Sequence, residues 1–294
     1  MFPSHDHRQL LDKPNPVMGV QSFIETALSF YLIDGNSYIM RDNAQANPSS
    51  KPIELWNIQP NYMGVKASET GVPKAYVFDM NGQKETFPVD EISGKSGVFH
   101  FKNFNPTETY VGLSPINPAA NSGDIFNKGM DWNMSMLDNG MQPPGVFTSD
   151  TELNDDQYNR FIEFVKKAYS GAKNAGTALI LEEGMKWEKT GFSAKDMDFA
   201  KAIDMAIRTI AIPFKVPFTL LIPQSATYNN LKEAKEQLWT DAIMPLLNRF
   251  SSDLTRWFQM QYNDESLVIV IDTDEVPALE DKRTRHCDRD WETD

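Results

Sequence analysis

The side chains of this chain that could do chemistry are few, and their spacing works against most of it. His5 and His7 form an H-x-H pair, but a protein zinc site takes three or four ligands, and His100 and His286 lie far off in sequence. No metal site is expected. Cys287 is the single cysteine, which excludes disulfides and cysteine-based zinc sites within the chain. Adjacent carboxylates can divide general acid and base work, and Asp155-Asp156 and Glu182-Glu183 are such pairs. The first is better explained by the positive end of a helix, and the second by a turn before Gly184. There is no G-x-S-x-G, H-E-x-x-H, G-x-x-x-x-G-K-[ST] or G-x-G-x-x-G, and the serines lack a plausible histidine partner. The residues therefore predict no catalytic group and no cofactor.

Charge narrows the reading further. The 294 residues carry 41 acidic and 28 basic side chains, a net charge of -13. That argues against a generic phosphate-gripping surface. It is compatible with ordinary solubility, and with a duct that nucleic acid slides through without sticking. Hydrophobic content of 40% and charged content of 23% are those of a globular protein of one or two domains. No apolar run reaches the roughly 18 residues of a membrane span, and the start shows no signal-peptide pattern. A soluble protein made in a cytoplasm, without membrane contact, is expected.

The elements that must position any site read as follows. Helical spacing of Phe23, Ala27, Phe30 and Tyr31 predicts a helix from Val20 to Asp34, broken by Gly35-Asn36. Strands are predicted at Ser37–Met40, Ile53–Ile58, Ala75–Asp79, Glu85–Val89 and Val98–Lys102, with Asn81-Gly82 as a hairpin turn. Leu113–Asn139 reads as a helix opened by Ser114-Pro115. Its Met and aromatic residues from Met130 to Met141 read as core or subunit interface. A short strand runs through Phe147. Asn154 caps a helix whose stripe is Tyr158, Phe161, Ile162, Val165, Ala168 and Tyr169. Thr177–Leu181 and Met185–Lys189 read as paired strands. A helix from Ser193 to Ile212 ends at Pro213, and Phe218–Ile222 reads as a short strand. Leu231 to Trp257 reads as one long helix kinked at Pro245, followed by a final strand at Leu267–Ile271.

Several strings, in this order, resemble the portal protein family of tailed bacteriophages in its siphovirus-like branch. They are Leu11-Asp12-Lys13-Pro14-Asn15-Pro16, Gly35-Asn36-Ser37-Tyr38-Ile39, Gly112-Leu113-Ser114-Pro115-Ile116 and Pro144-Gly145-Val146. Gly171–Gly176, Leu179–Trp187, Pro213-Phe214-Lys215-Val216-Pro217 and Tyr228-Asn229-Asn230 continue the series. The resemblance covers about Arg8 to Lys282 and implies a chain lacking N-terminal and C-terminal parts of the family.

What the resemblance implies is an α+β fold. A small mixed wing sheet is joined to two stem helices flanking an α/β clip, and to a long kinked wing helix. Residues 1–112 would be the wing, 113–141 a stem helix, 142–191 the clip and 192–212 the second stem helix. Residues 213–230 would form the tunnel-loop region, 231–282 the long wing helix and strand, and 283–294 a disordered or non-native tail. The clip core would be Phe161, Ile162 and Val165. The loop facing DNA would be Gln224, Ser225, Ala226, Thr227, Tyr228, Asn229 and Asn230. The implied function is structural: a ring of about twelve copies at one capsid vertex, a heterologous closed assembly. Implied partners are double-stranded DNA, terminase, a head–tail adaptor, and the major capsid or scaffold protein. The implied location is the virion, and the host bacterial cytoplasm during assembly. A soluble hydrolase with an acidic active site and a monomeric adaptor protein are the readings from other classes.

Overall fold

β1, Asn36–Arg41, is buried along almost its whole length, and this decides the layering of the first unit. A strand buried on both faces has apolar residues without polar alternation. Its neighbours are β2 (Leu55–Ile58) and β6 (Val98–Lys102), both antiparallel to it, in the order β2-β1-β6. Because strand side chains alternate, Ile39, Phe99 and Phe101 point to one face and Tyr38, Val98 and His100 to the other. A computed structural model describes residues 6–42, 51–138, 145–150, 152–169, 185–189, 199–222 and 227–279 of the chain.

The first face packs on helices. α1 (Asp6–Asp12) contributes Leu10, and α2 (Val20–Asp34) contributes Phe23, Ala27 and Tyr31 at intervals of four. α8 (Met244–Tyr262) contributes Phe250, Leu254, Trp257 and Phe258. Phe101 and Phe250 meet edge to face at 5.2 Å, and Phe99 and Phe250 at 5.9 Å. The second face packs on another antiparallel sheet, β3 (Met63–Lys66), β4 (Ala75–Met80) and β5 (Gln83–Pro88), through Met63, Tyr76 and Phe87. β4 and β5 form the hairpin that Asn81-Gly82 predicts, with both residues at positive φ. The one mixed sheet expected is thus two antiparallel three-stranded sheets, and β3 went unread.

The chain folds as two compact units: residues 1–119 with 211–294, and an inserted unit, 120–210. Within the insertion lie α3 (Ala120–Asp138), β7 (Gly145–Ser149), α4 (Asp155–Tyr169), β8 (Met185–Lys189) and α5 (Phe199–Ala211). α3 starts later than Ser114-Pro115 predicts. Ser114 is spent elsewhere: its hydroxyl donates to the Ile33 carbonyl at 2.5 Å and accepts from the Ile116 N–H at 3.1 Å. The described partner of β8 is β7, antiparallel over five residues. Thr177–Leu181 lies outside the described residues, as do Glu182-Glu183 and the expected helix start at Ser193.

Two further expectations need correction. Phe218–Leu221 is a single helical turn, α6, not a strand. Pro217 supplies the φ of -60° that starts it, and the Ile222 N–H closes it on the Phe218 carbonyl. Leu267–Ile271 joins no sheet among the described residues; Leu267 and Ile269 dock on the α8 cluster instead. The long helix begins three residues earlier than read. α7 (Tyr228–Gln237) runs into a π-helical stretch, Leu238–Ile243, and then into α8. Pro245 has no N–H to offer and its ring crowds the carbonyl four residues back. The wider π turn just ahead of it accommodates that defect inside a continuous helix.

Candidate functional site

Some of the strings singled out in the sequence come together in the first unit. Pro14-Asn15-Pro16 is pinned to β2: the Leu55 N–H donates to the Pro14 carbonyl at 2.7 Å, and Asn15 Nδ2 donates to the Leu55 carbonyl at 2.9 Å. Asn15 Oδ1 then accepts from the N–H groups of Val17 and Met18, turning the chain into α2. Gly35 ends α2 at φ +87°. A Cβ on Gly35 would lie 2.4 Å from the Leu113 carbonyl carbon, and one on Gly112 would lie 2.2 Å from the Gly35 oxygen. Both positions need glycine because two backbones touch there.

Asn36 locks that contact. Its Nδ2 donates to Asp34 Oδ1 and to the Gly112 carbonyl, while its Oδ1 accepts from the Gly112 N–H and from His100 Nε2. The Gly112 N–H and the Asn36 carboxamide orientation fix His100 as the Nε2–H tautomer. His100 stacks on Tyr38 at 4.2 Å and meets Tyr76 edge-on at 5.7 Å. Enclosure, and then the nearby Lys102 ammonium, pull its pKa down to about 3, so it stays neutral.

Beside this junction lies a cleft of about 520 Å³. Leu113, Ser114, Pro115 and Pro118 line one side, where the chain approaches the insertion. Pro213, Phe214 and Lys215 line another, where it has returned, and α8 supplies Pro245, Leu246 and Arg249. Arg249 Nη2 donates to the Tyr31 hydroxyl at 2.5 Å, and that hydroxyl donates to Asn103 Oδ1 at 3.1 Å. The guanidinium also lies over the rings of Phe101 (4.6 Å) and Tyr31 (5.0 Å). Lys215 holds φ +54°, with its N–H on the Ile212 carbonyl and the Val216 N–H on the Ala211 carbonyl. This is the double bond pattern of a Schellman cap, with lysine where glycine is usual. The Pro213-Phe214-Lys215-Val216-Pro217 string is therefore a helix terminator.

The other site residues are placed as follows. Thr227 caps α7, its Oγ1 accepting from the Asn230 N–H, and Tyr228 is 81% exposed. Tyr228, Asn229 and Asn230 form the first turn of that helix rather than a loop. Gln224, Ser225 and Ala226 lie outside the described residues. Asn154 caps α4 as read, and Gln157 answers it: each side chain accepts from the other's N–H, at 2.9 and 3.1 Å. Asp155 and Asp156 sit in the first turn. Phe161 meets Phe147 of β7 edge to face at 5.1 Å, and Phe161, Ile162 and Val165 are half-buried. Among the described residues no group of three or more His, Cys, Asp and Glu side chains could hold a metal ion. His5 lies outside them, and His7 is on α1. No described helix is long and apolar enough to cross a membrane.

The fold is an α/β body carrying an inserted unit of helices and a strand pair. The model of the phage portal protein family matches residues 2–286, so the chain belongs to that family. It is 33% identical over 287 residues to an uncharacterized protein of Rickettsia bellii (strain RML369-C), covering 96% of this chain and 73% of that one. It is 26% identical to the portal protein of Escherichia phage T5 over 91% of this chain and 61% of that protein. A chain in the neck of a native gene transfer agent particle, computed with C12 symmetry, superposes with a TM-score of 0.71. That match has 32% identity and covers 96% of this chain and 78% of the other.

Proposed function

We propose that this chain is a portal subunit working as one of about twelve copies in a closed ring at a capsid vertex. The observation that carries the reading is the match over nearly the whole chain to the portal family model, joined by the likeness in sequence and fold to a chain of a neck computed with C12 symmetry. Double-stranded DNA passes through the ring during packaging and ejection. Terminase docks during packaging, a head–tail adaptor docks afterwards, and the shell or scaffold protein grips the rim. The protein belongs in the virion, after assembly in the host cytoplasm. It performs no catalytic step; the motor is a partner.

Residues 213–230 carry the tunnel loop in this reading. Thr227 fixes where the preceding segment leaves α7, and Gln224, Ser225 and Ala226 offer uncharged groups to the passing backbone. Uncharged contacts avoid the salt-dependent grip of lysine or arginine. The test is deletion of Gln224–Ala226, leaving the Thr227 cap, scored by ring images and by nuclease-protected DNA in assembled heads. Intact rings with less protected DNA are expected, and Ser225→Lys should make translocation more salt-sensitive. Normal packaging with the segment deleted would overturn the tunnel assignment, and absence of rings from the unmodified protein would overturn the portal reading.

A further inference from the structure

Leu267–Ile271 is a run of five aliphatic residues, four of them β-branched, whose burial alternates along the run and which joins no sheet among the described residues. One side is committed. Leu267 is buried and Ile269 packs with it on the α8 cluster. The Ile269 N–H donates to Thr255 Oγ1 at 3.0 Å, and Gln259 Nε2 donates to the Leu267 carbonyl at 2.9 Å. The other side is open: Val268 is 67% and Val270 80% exposed. Among the described residues, the backbone groups of Val268, Val270 and Ile271 have no hydrogen-bond partner.

A segment anchored on one side, alternating in burial as a strand does and carrying unpartnered N–H and C=O groups, is a template for another strand. Soluble proteins blunt such edges with proline, bulges or charges, and these five positions carry none. We propose that Leu267–Ile271 is completed in the ring by a sheet edge of a neighbouring copy of this chain, an inference that rests on the portal reading above. A closed ring needs two different surfaces on each copy, one giving and one receiving. β5 supplies the receiving edge: it is six residues long, among the described residues it pairs only with β4, and it exposes Gln83 to Thr86 in succession, where Lys84 and Glu85 carry opposite charges and Pro88 closes the far end. Asp264, Glu265, Asp272 and Asp274 flank the run with like charges, which disfavour its stacking on another copy of itself.

Amide hydrogen exchange in assembled rings and in dissociated subunits tests this. Amides of Leu267–Ile271 and of β5 should exchange at least about 100-fold more slowly in rings. Val268→Pro removes an N–H that has no partner among the described residues, so it should lower the ring fraction at least about tenfold and leave the subunit's melting temperature unchanged. Val268→Thr, which keeps the N–H, should assemble. Equal exchange of Leu267–Ile271 in rings and subunits would overturn the inference while leaving the portal reading intact. A lower melting temperature of the Val268→Pro subunit would also overturn it, by showing that the strand pairs within its own chain. Absence of rings from the unmodified protein would overturn both.

Discussion

Asn36 grips Gly112 by both of its backbone groups: the Gly112 N–H donates to Asn36 Oδ1 at 2.6 Å, and Asn36 Nδ2 donates to the Gly112 carbonyl at 3.1 Å. A side chain at the head of β1 thereby imitates a strand neighbour for the segment that leads out of the first unit. Asn36→Ala leaves the Gly112 N–H and His100 Nε2–H without their acceptor. A loss of about 2–4 kcal/mol is expected from urea unfolding. A loss below about 1 kcal/mol would show that water replaces the carboxamide.

Glycine matters here by contact, and a pair of variants separates contact from conformation. Gly112→Ala drives a Cβ to 2.2 Å from a backbone oxygen that no rotamer change can move aside. It should cost about 3 kcal/mol or more. Gly71 holds φ +82° with open space around it, so Gly71→Ala should cost only about 1 kcal/mol. Equal losses in thermal or urea unfolding would refute the backbone-contact account.

His100 makes stability depend on pH in a defined window. The unfolded chain protonates this histidine below about 6.5, while the folded protein holds it neutral down to about 3. Its contribution is complete above 6.5 and is lost as pH falls toward 3, by up to about 1.4 kcal/mol per unit. Urea midpoints at pH 7, 6 and 5 check this. The His100→Gln variant should lose up to about 2 kcal/mol less than the parent between pH 7 and 5. Parallel curves would assign the acid sensitivity to other groups.

Lys215 sits where a helix terminator favours glycine. Lys215→Gly removes the left-handed strain and should raise stability by up to about 1 kcal/mol, read as a higher melting temperature. A decrease would show that the lysine side chain contributes more to the cleft than its backbone costs.

Phe161 on α4 faces Phe147 on β7 within the inserted unit. Full burial would make Phe161→Ala cost about 3–5 kcal/mol, and half-burial lowers the expectation to about 2 kcal/mol in the isolated subunit. A double-mutant cycle with Phe147→Ala should give a coupling of about 0.5–1.5 kcal/mol. Zero coupling would show that the ring contact does not support this strand pair.

Local signals in the sequence carried the elements whose causes are local. α2 showed its stripe and its glycine stop, β6 was read to the residue, and Asn81-Gly82 announced its hairpin. Asn154 announced a cap, although its partner Gln157 went unread. Phe218–Leu221 failed because four apolar residues fit a buried turn and a strand equally well. Leu267–Ile271 was read as a strand, but a strand needs a partner and among the described residues this run has none. The junction was illegible for a related reason. Asn36 and Gly112 are 76 positions apart, and Arg249 reaches Tyr31 across 218. Each looked like a piece of a family string, with no sign of what it touches.

The insertion has a consequence for the order in which the chain is made. Phe99 and Phe101 on β6 complete their aromatic cluster only with Phe250 and Trp257 on α8, which follow after the whole 120–210 unit has been translated. At ribosomal speeds of about 5–20 residues per second, that gap lasts on the order of ten seconds. During it only α1 and α2 are available to cover that face of the nascent strands, and the part that Phe250 and Trp257 will occupy stays open, while the inserted unit already has all of its own residues. The first unit closes only after α8 clears the exit tunnel.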